Sequence, residues 1–217
     1  MASGKRYKFN GSTFQVQTGF AATKTISAIT KANPGVVSSP AHGLLLGAVG
    51  KIAAVVGMTE LNGGLYVVDN PVTGTFELAG TDTTNYSTYT SGGTFAPVTF
   101  SSICELTGVN QQDDTADEIE VSTICSTAKE FEQGLSGSGT LQIDYNFAPN
   151  EAVQAAVRSA KLSGTAIAFK ITLPNSGGNL VMFGTVQQSS FTGGVNGVWT
   201  GSSTIKLTGP IFVLAGA

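Results

Sequence analysis

Residues 140–160 read TLQIDYNFAPNEAVQAAVRSA, and the fold turns on this stretch. Its first part alternates. Leu141, Ile143, Tyr145 and Phe147 face one way, and Thr140, Gln142, Asp144 and Asn146 the other. A period of two with one apolar side marks a strand that buries one face. Its second part changes period. Val153, Ala156, Val157 and Ala160 recur at helical spacing after Pro149. Asn150 is a suitable N-cap, and Glu151 stands where the helix dipole favours an acid. Gly164 can close the helix in a left-handed conformation, so one surface helix is expected over about 150–161.

Working outward, Thr165–Leu173 and Leu180–Val186 are joined by PNSGGN and read as a hairpin. Trp199–Leu207 sets Ile205 and Leu207 against Thr204 and Lys206, a closing strand. On the N-terminal side, Phe14–Gln17 and Val98–Ile103 read as strands. Residues 25–96 differ in character. The runs TISAITKAN, VVSS, KIAAVVG, LYVVD and TFELAG are short and β-rich, and NPG, AHG, LNGG and NPVTG punctuate them as turns. They carry their own apolar set, including Ile26, Ile29, Val37, Ile52, Val55, Val68, Phe76 and Leu78. The expected organisation is therefore a mainly β, α+β core from residues 1–24 and 97–217. The core is mostly antiparallel with one helix against a sheet, and a small all-β domain, 25–96, is inserted into it.

Composition narrows the function. The chain has 217 residues, and only 12% are charged, about half the usual share. Solubility ordinarily comes from a charged surface, so this one is expected to be covered by other subunits. The first ten residues, MASGKRYKFN, lead into no apolar run, which argues against a signal peptide. The longest apolar stretch, Gly43–Met58, is interrupted by Lys51 and falls short of a spanning helix, so no membrane association is expected. Assembly in the cytoplasm follows, and there Cys104 and Cys125 are expected as free thiols.

Charge is unevenly placed. An N-terminal arm, residues 1–10, holds Lys5, Arg6 and Lys8 without an acid. A long acidic loop, 108–134, holds Asp113, Asp114, Asp117, Glu118, Glu120, Glu130 and Glu132 against Lys129. Within it, Thr127-Ala-Lys-Glu130 matches a capping box, which points to a short helix. The two regions can attract each other between copies. Asp113, Asp114, Asp117, Glu118, Glu120 and Phe131 are thus candidates for a contact with Lys5, Arg6 and Lys8 of a neighbour. Phe131 serves equally well as core.

Catalytic and metal chemistry find little support. The acidic loop lacks the register and bend glycine of a calcium loop. His42 is the single histidine and lies in a Pro-Ala-His-Gly turn, with no serine at a strand-to-helix elbow. Gly134, Gly137 and Gly139 precede a strand rather than open a helix, so they form no dinucleotide loop. No basic patch with interleaved aromatics is present, so sequence-specific nucleic-acid binding is not expected. No enzyme, cofactor or metal is expected. The rival reading is a monomeric β-rich adhesin or carbohydrate-binding module that uses the Thr/Tyr-rich loop Thr81–Gly92.

The order of features from Ser101 to Pro210 resembles the tail tube proteins of long non-contractile, lambda-like phage tails. It is carried by CELTGV (104–109), DDTADEIEV (113–121), CSTAKEFEQGLSGSGTLQIDYNF (125–147), the helix PNEAVQAAVRSA and FKITLPNSGGNLVMFGTVQQ (169–188). HGLLLGAVGKIAAVVGMTELNGGLYVV, within 25–96, looks like a small β module inserted in various phage structural proteins. The resemblance implies two packed antiparallel β-sheets with one flanking helix. It further implies hexameric rings that stack into a tube around a lumen passing double-stranded DNA, with the insert on the exterior. Tape-measure, tail-tip and tail-terminator proteins would be partners, and the product a virion component. On that architecture Gln142, Asp144 and Asn146 are candidates for the lumen surface.

Overall fold

The computed structural model describes residues 6–135 and 137–215. The chain begins with β1 (Thr13–Phe20) and enters the inserted segment through β2 (Lys24–Thr25), β3 (Ala28–Ile29) and β4 (Val36–Ser38). It continues through β5 (Val49–Val56), β6 (Leu65–Val72), β7 (Thr75–Leu78) and β8 (Ser91–Ser102). Then come β9 (Leu106–Gln112), β10 (Glu118–Glu120), β11 (Phe131–Gln133) and β12 (Thr140–Asn146). Helix α1 (Ala152–Ser163) precedes β13 (Ile167–Thr172), β14 (Asn179–Thr192), β15 (Thr200–Leu207) and β16 (Phe212–Leu214).

The strand pairings among the described residues are antiparallel; most follow one path, β3-β4-β7-β6-β5-β8-β1-β13-β14-β15-β12-β9, with β16 added against β14, β2 against β8, and β10-β11 apart as a second, small sheet. The path folds over at β14. Residues 179–184 of that strand pair with β13, while residues 184–192 pair with β15 across a bulge between Val186 and Gln188. Bulges bend and twist a strand, which lets it serve two layers. Phe14 and Val16 (β1), Phe169 (β13), Leu141, Ile143 and Tyr145 (β12), Ile205 (β15) and Val153 and Val157 (α1) then meet in one buried core. Tyr145 and Ser203 share a buried hydroxyl–hydroxyl bond of 2.9 Å within it.

The insert has its own core around Ile52, Met58, Leu61, Val68, Phe76 and Phe95, with Phe76 and Phe95 edge to face at 5.0 Å. His42 is buried beside Phe76. Its Nδ1 accepts from the Leu44 amide at 3.0 Å, which leaves Nε2 to donate to the Val72 carbonyl at 2.8 Å. Tyr86 and Tyr89 pack against this core, and Tyr89 Oη donates to the Gly92 carbonyl at 2.8 Å. The aromatic rings on which a sugar would stack are therefore used inside the module.

Two features tie insert to core. Strand β8 belongs to both: Phe95 pairs with Ile52 of β5, and Phe100 with Gln17 of β1. The expected strand at Val98–Ile103 is thus the second half of a longer one. Pro97 sits at the changeover: it is the last residue to pair with β5, opposite Gly50, and Val98 is the first to pair with β1. A third apolar cluster lies on the outer face of β13 and β14. It joins Val49, Val67 and Ala79 of the insert to Ala168, Val181 and the β16 residue Leu214.

Two sequence expectations are corrected. The helix starts at Ala152 with Glu151 as its cap, and no side chain of the cap residue bonds the first turn. Asn150 is not the cap because the Gln154 amide takes the anchoring role, accepting from the Ala148 amide and donating to the Asn146 carbonyl, both at 2.9 Å. The stop at Gly164 is as read, with φ 64° and its amide bonded to Ala160. The capping box at Thr127–Glu130 opens no helix. No apolar helical periodicity follows it, and Phe131–Gln133 instead pairs with Glu118–Glu120 as a hairpin. The acidic loop is also shorter than expected, because residues 108–112 belong to β9, which pairs with β12.

Candidate lumen face and subunit interface

Residues 185–192 of β14, with β15, β12 and β9, form a four-stranded sheet whose inner face is the core. Its outer face follows from alternation: Leu141, Ile143 and Tyr145 are consumed inside, so Gln142, Asp144 and Asn146 stand outside. Register continues the polar face across the sheet. Gln142 lies between Thr204 and Asn110, and Thr204 pairs with Gln188; Asp144 lies between Ser202 and Gly108. Gln142 Nε2 donates to Asp144 Oδ1 at 3.2 Å, and Asn146 Nδ2 donates to Glu105 Oε2 at 2.9 Å. Hydroxyls and amides dominate the face. Its charges on these strands are Asp144 and Lys206, and Lys206 Nζ pairs with Asp114. The structure thus brings the three candidate residues onto one continuous neutral-polar surface.

Both lateral edges of this sheet are unpaired among the described residues. Strand β9 has β12 on one side only, and beyond Gly184 the side of β14 away from β15 has no partner strand. Neither edge carries the charged residue or proline that commonly blunts one, though β14 is bulged between Val186 and Gln188. Leu106-Thr-Gly-Val-Asn-Gln-Gln112 and Thr185-Val-Gln-Gln-Ser-Ser-Phe-Thr192 contain no charge and no proline.

From one end of the sheet an arm, residues 113–139, projects and returns. Its legs come together at Gly139 (φ 81°), where a Cβ would collide with the Gln112 carbonyl oxygen. Close approach within the chain therefore explains this glycine. Asp113, Asp114, Asp117, Glu118 and Glu120 are all exposed on the arm. Asp113 accepts from Gln111 Nε2 at 2.6 Å, and Glu120 pairs with Lys129 at 3.1 Å. Phe131 is 52% exposed and Leu135 90% exposed, so Phe131 is not core. Among the described residues no cluster of His, Cys, Asp or Glu could hold a metal ion, and no helix is long and apolar enough to cross a membrane.

Of the basic arm, Lys5 lies outside the described residues. Arg6 and Lys8 are exposed, and Tyr7, Lys8 and Phe9 line an apolar groove with Leu106, Val109 and Gln111 of β9 and with Leu180 of β14. Within one chain the basic arm thus packs along β9, and the acidic arm leaves from the end of that strand. Asp114 is tied to Lys206 of its own chain rather than to the basic arm.

The sequence reading missed a further surface at the β14–β15 hairpin tip. Phe191 is 62% and Trp199 58% exposed, with Val195 and Val198 exposed between them. The available signal was four large apolar residues flanking Gly193-Gly194 and Gly197, where a solvent-facing turn would carry polar ones.

Two family models match the chain, and their ranges overlap at 81–99. Residues 32–99 match the family described as the FCCH domain of ubiquitin-activating enzyme E1. Residues 81–180 match the family described as phage tail tube, TTP, lambda-like. No curated protein sequence matches. Among solved structures, a chain from the tail of an empty GTA particle, refined with C6 symmetry, aligns at TM-score 0.45 and 17% identity, covering 54% of this chain and 87% of that one. The SPP1 tail tube aligns at TM-score 0.45 and 13% identity, covering 54% of this chain and 69% of that one. Residues 81–180, the part of this chain similar to the lambda-like phage tail tube family, contain β9, the acidic arm, β12, α1 and β13.

Proposed function

We propose that six copies close into a ring through the two bare edges of the polar sheet, and that rings stack into the tube that conducts double-stranded DNA during ejection. The open, uncharged edges of β9 and β14 carry this reading: a monomer gains nothing from them, and a ring removes them. Six sheets joined edge to edge give a barrel whose inner wall bears Gln142, Asp144 and Asn146. Such a wall offers almost no cation to phosphate, so DNA is not held by counterion release and slides. The acidic residues Asp113, Asp117, Glu118 and Glu120 stand on an arm that leaves the end of β9, and the basic Arg6 and Lys8 on an arm packed along β9, so the opposite charges suit contact between copies. Domain 25–96 stands on the tube exterior, because it packs on the layer facing away from the polar sheet. Tape-measure, tail-tip and tail-terminator proteins are its tail partners, and assembly takes place in the host cytoplasm. The role is structural rather than catalytic.

Lysines at both edges, Asn110→Lys with Gln188→Lys, test ring closure. The expected product is a folded monomer that forms no ring. Normal rings from this variant would contradict edge pairing.

A further inference from the structure

The insert meets the core along a front that strand β8 crosses without a break. Residues 91–97 of that strand pair with β5 of the insert, and residues 98–102 with β1 of the core. A single strand fixes where two units join. It bends and twists between its two sets of partners, so it does not by itself fix the angle between them. Part of the front is open: a cleft of about 470 Å³ lies between Lys51 and Leu65 of the insert and Phe20, Ile167 and Phe183 of the core.

Strand β16 bridges the two units. Its main chain belongs to the core, where Phe212, Val213 and Leu214 pair with Val181, Leu180 and Asn179 of β14. Its side chains alternate, as those of a strand must. Val213 is 76% exposed, while Phe212 and Leu214 turn to the insert. Leu214 lies against Gly47, where an added Cβ would stand 2.8 Å from its Cδ1. Phe212 lies against Gly80, where an added Cβ would stand 3.2 Å from its Cε1, and meets Phe183 edge-on at 6.1 Å. Both glycines have a positive φ, 75° and 62°, and each leaves a dent that one β16 side chain fills. Leu214 closes the cluster that Val49, Val67 and Ala79 form with Ala168 and Val181.

We infer that β16 is a clasp that holds the insert in one orientation on the core. Without its two inward side chains the insert swings about β8 near Pro97. Each unit stays folded when that happens, because each has its own buried core. The clasp is three residues long beside the twelve of β8, so it is the joint between the units that opens first. It is a property of the single chain and stands whether or not rings form.

Spin labels at Thr73→Cys in the insert and Ser159→Cys on α1 read the angle, both positions being exposed. They are placed in the full chain with Cys104→Ser and Cys125→Ser, diluted into unlabelled protein so that only distances within one chain are measured by double electron–electron resonance. The native β16 should give one narrow distance distribution. Phe212→Ser with Leu214→Ser should widen it several-fold, whereas Val213→Ser, on the outward face of the same strand, should leave it narrow. Circular dichroism checks that strand content is kept, and where the double variant does not fold, Leu214→Ala is measured in its place with the same expectation. A distribution as narrow without the inward side chains as with them overturns the inference, and so does a native distribution that is already broad.

Discussion

Gln154 donates from Nε2 to the main-chain carbonyl of Asn146 at 2.9 Å, joining the first turn of α1 to the last residue of β12. Its Oε1 accepts from the Ala148 amide at 2.9 Å, and the side chain is 2% exposed. One buried amide thus sets the angle at which the strand becomes the helix. Gln154→Leu keeps the volume and strands both backbone groups, so it should destabilise the chain by about 2 kcal/mol. Urea unfolding checks this, and a change under about 0.5 kcal/mol would show that water replaces the amide.

Phe95 lies in the insert core on the strand that also pairs with β1. Insert and tube core should therefore melt together. Phe95→Ala is expected to remove about 3–5 kcal/mol and to lower a single calorimetric transition. Two separate transitions, with the core's unmoved, would show that β8 does not couple them.

The elements that face a single core were legible from their periodicity. Thr140–Phe147 and the stripe of α1 each have one buried side and fold as read, and the PNSGGN hairpin, buried on both faces, was legible from its turn residues. The errors fall where local pattern and tertiary pairing compete. Thr127–Glu130 has a cap signature, yet strand partners at Glu118–Glu120 decide the conformation of the Phe131–Gln133 that follows. Asn150 is a better cap by type, but Gln154 reaches the strand end from inside the helix. Sheet edges and the tip at Phe191 and Trp199 could not be read, because exposure depends on which strands end up neighbours. Gln142, Asp144 and Asn146 were legible as a face, since alternation alone separates them from Leu141, Ile143 and Tyr145.

Burial, and then the neighbouring Tyr86, push the Tyr66 phenol up to about 12 from an ordinary 10, and its hydroxyl donates to the Leu61 carbonyl at 3.2 Å. A folded-state value above the unfolded one gives stability that is complete below pH 10 and is lost as pH rises through about 12. Tyr66→Phe should flatten this alkaline loss, as followed by circular dichroism against pH. An unchanged alkaline midpoint would move the cause elsewhere.

Asp144 faces the proposed lumen among neutral groups. Asp144→Lys should leave folding within about 0.5 kcal/mol of the parent, as surface substitutions do. In assembled virions it should slow DNA ejection, and more so at low salt, because phosphate then finds a ring of cations. Ejection at the parental rate at all salt concentrations would place Asp144 away from the DNA.

Electron microscopy of the purified full chain at high concentration, with end-on class averages, addresses the central claim most directly. The account predicts hollow tubes of stacked six-membered rings, with the polar sheets forming one continuous inner wall and residues 25–96 as knobs outside. Tubes whose inner wall is built from the β13 layer or from the insert, or rings joined without pairing of β9 to β14, would contradict it.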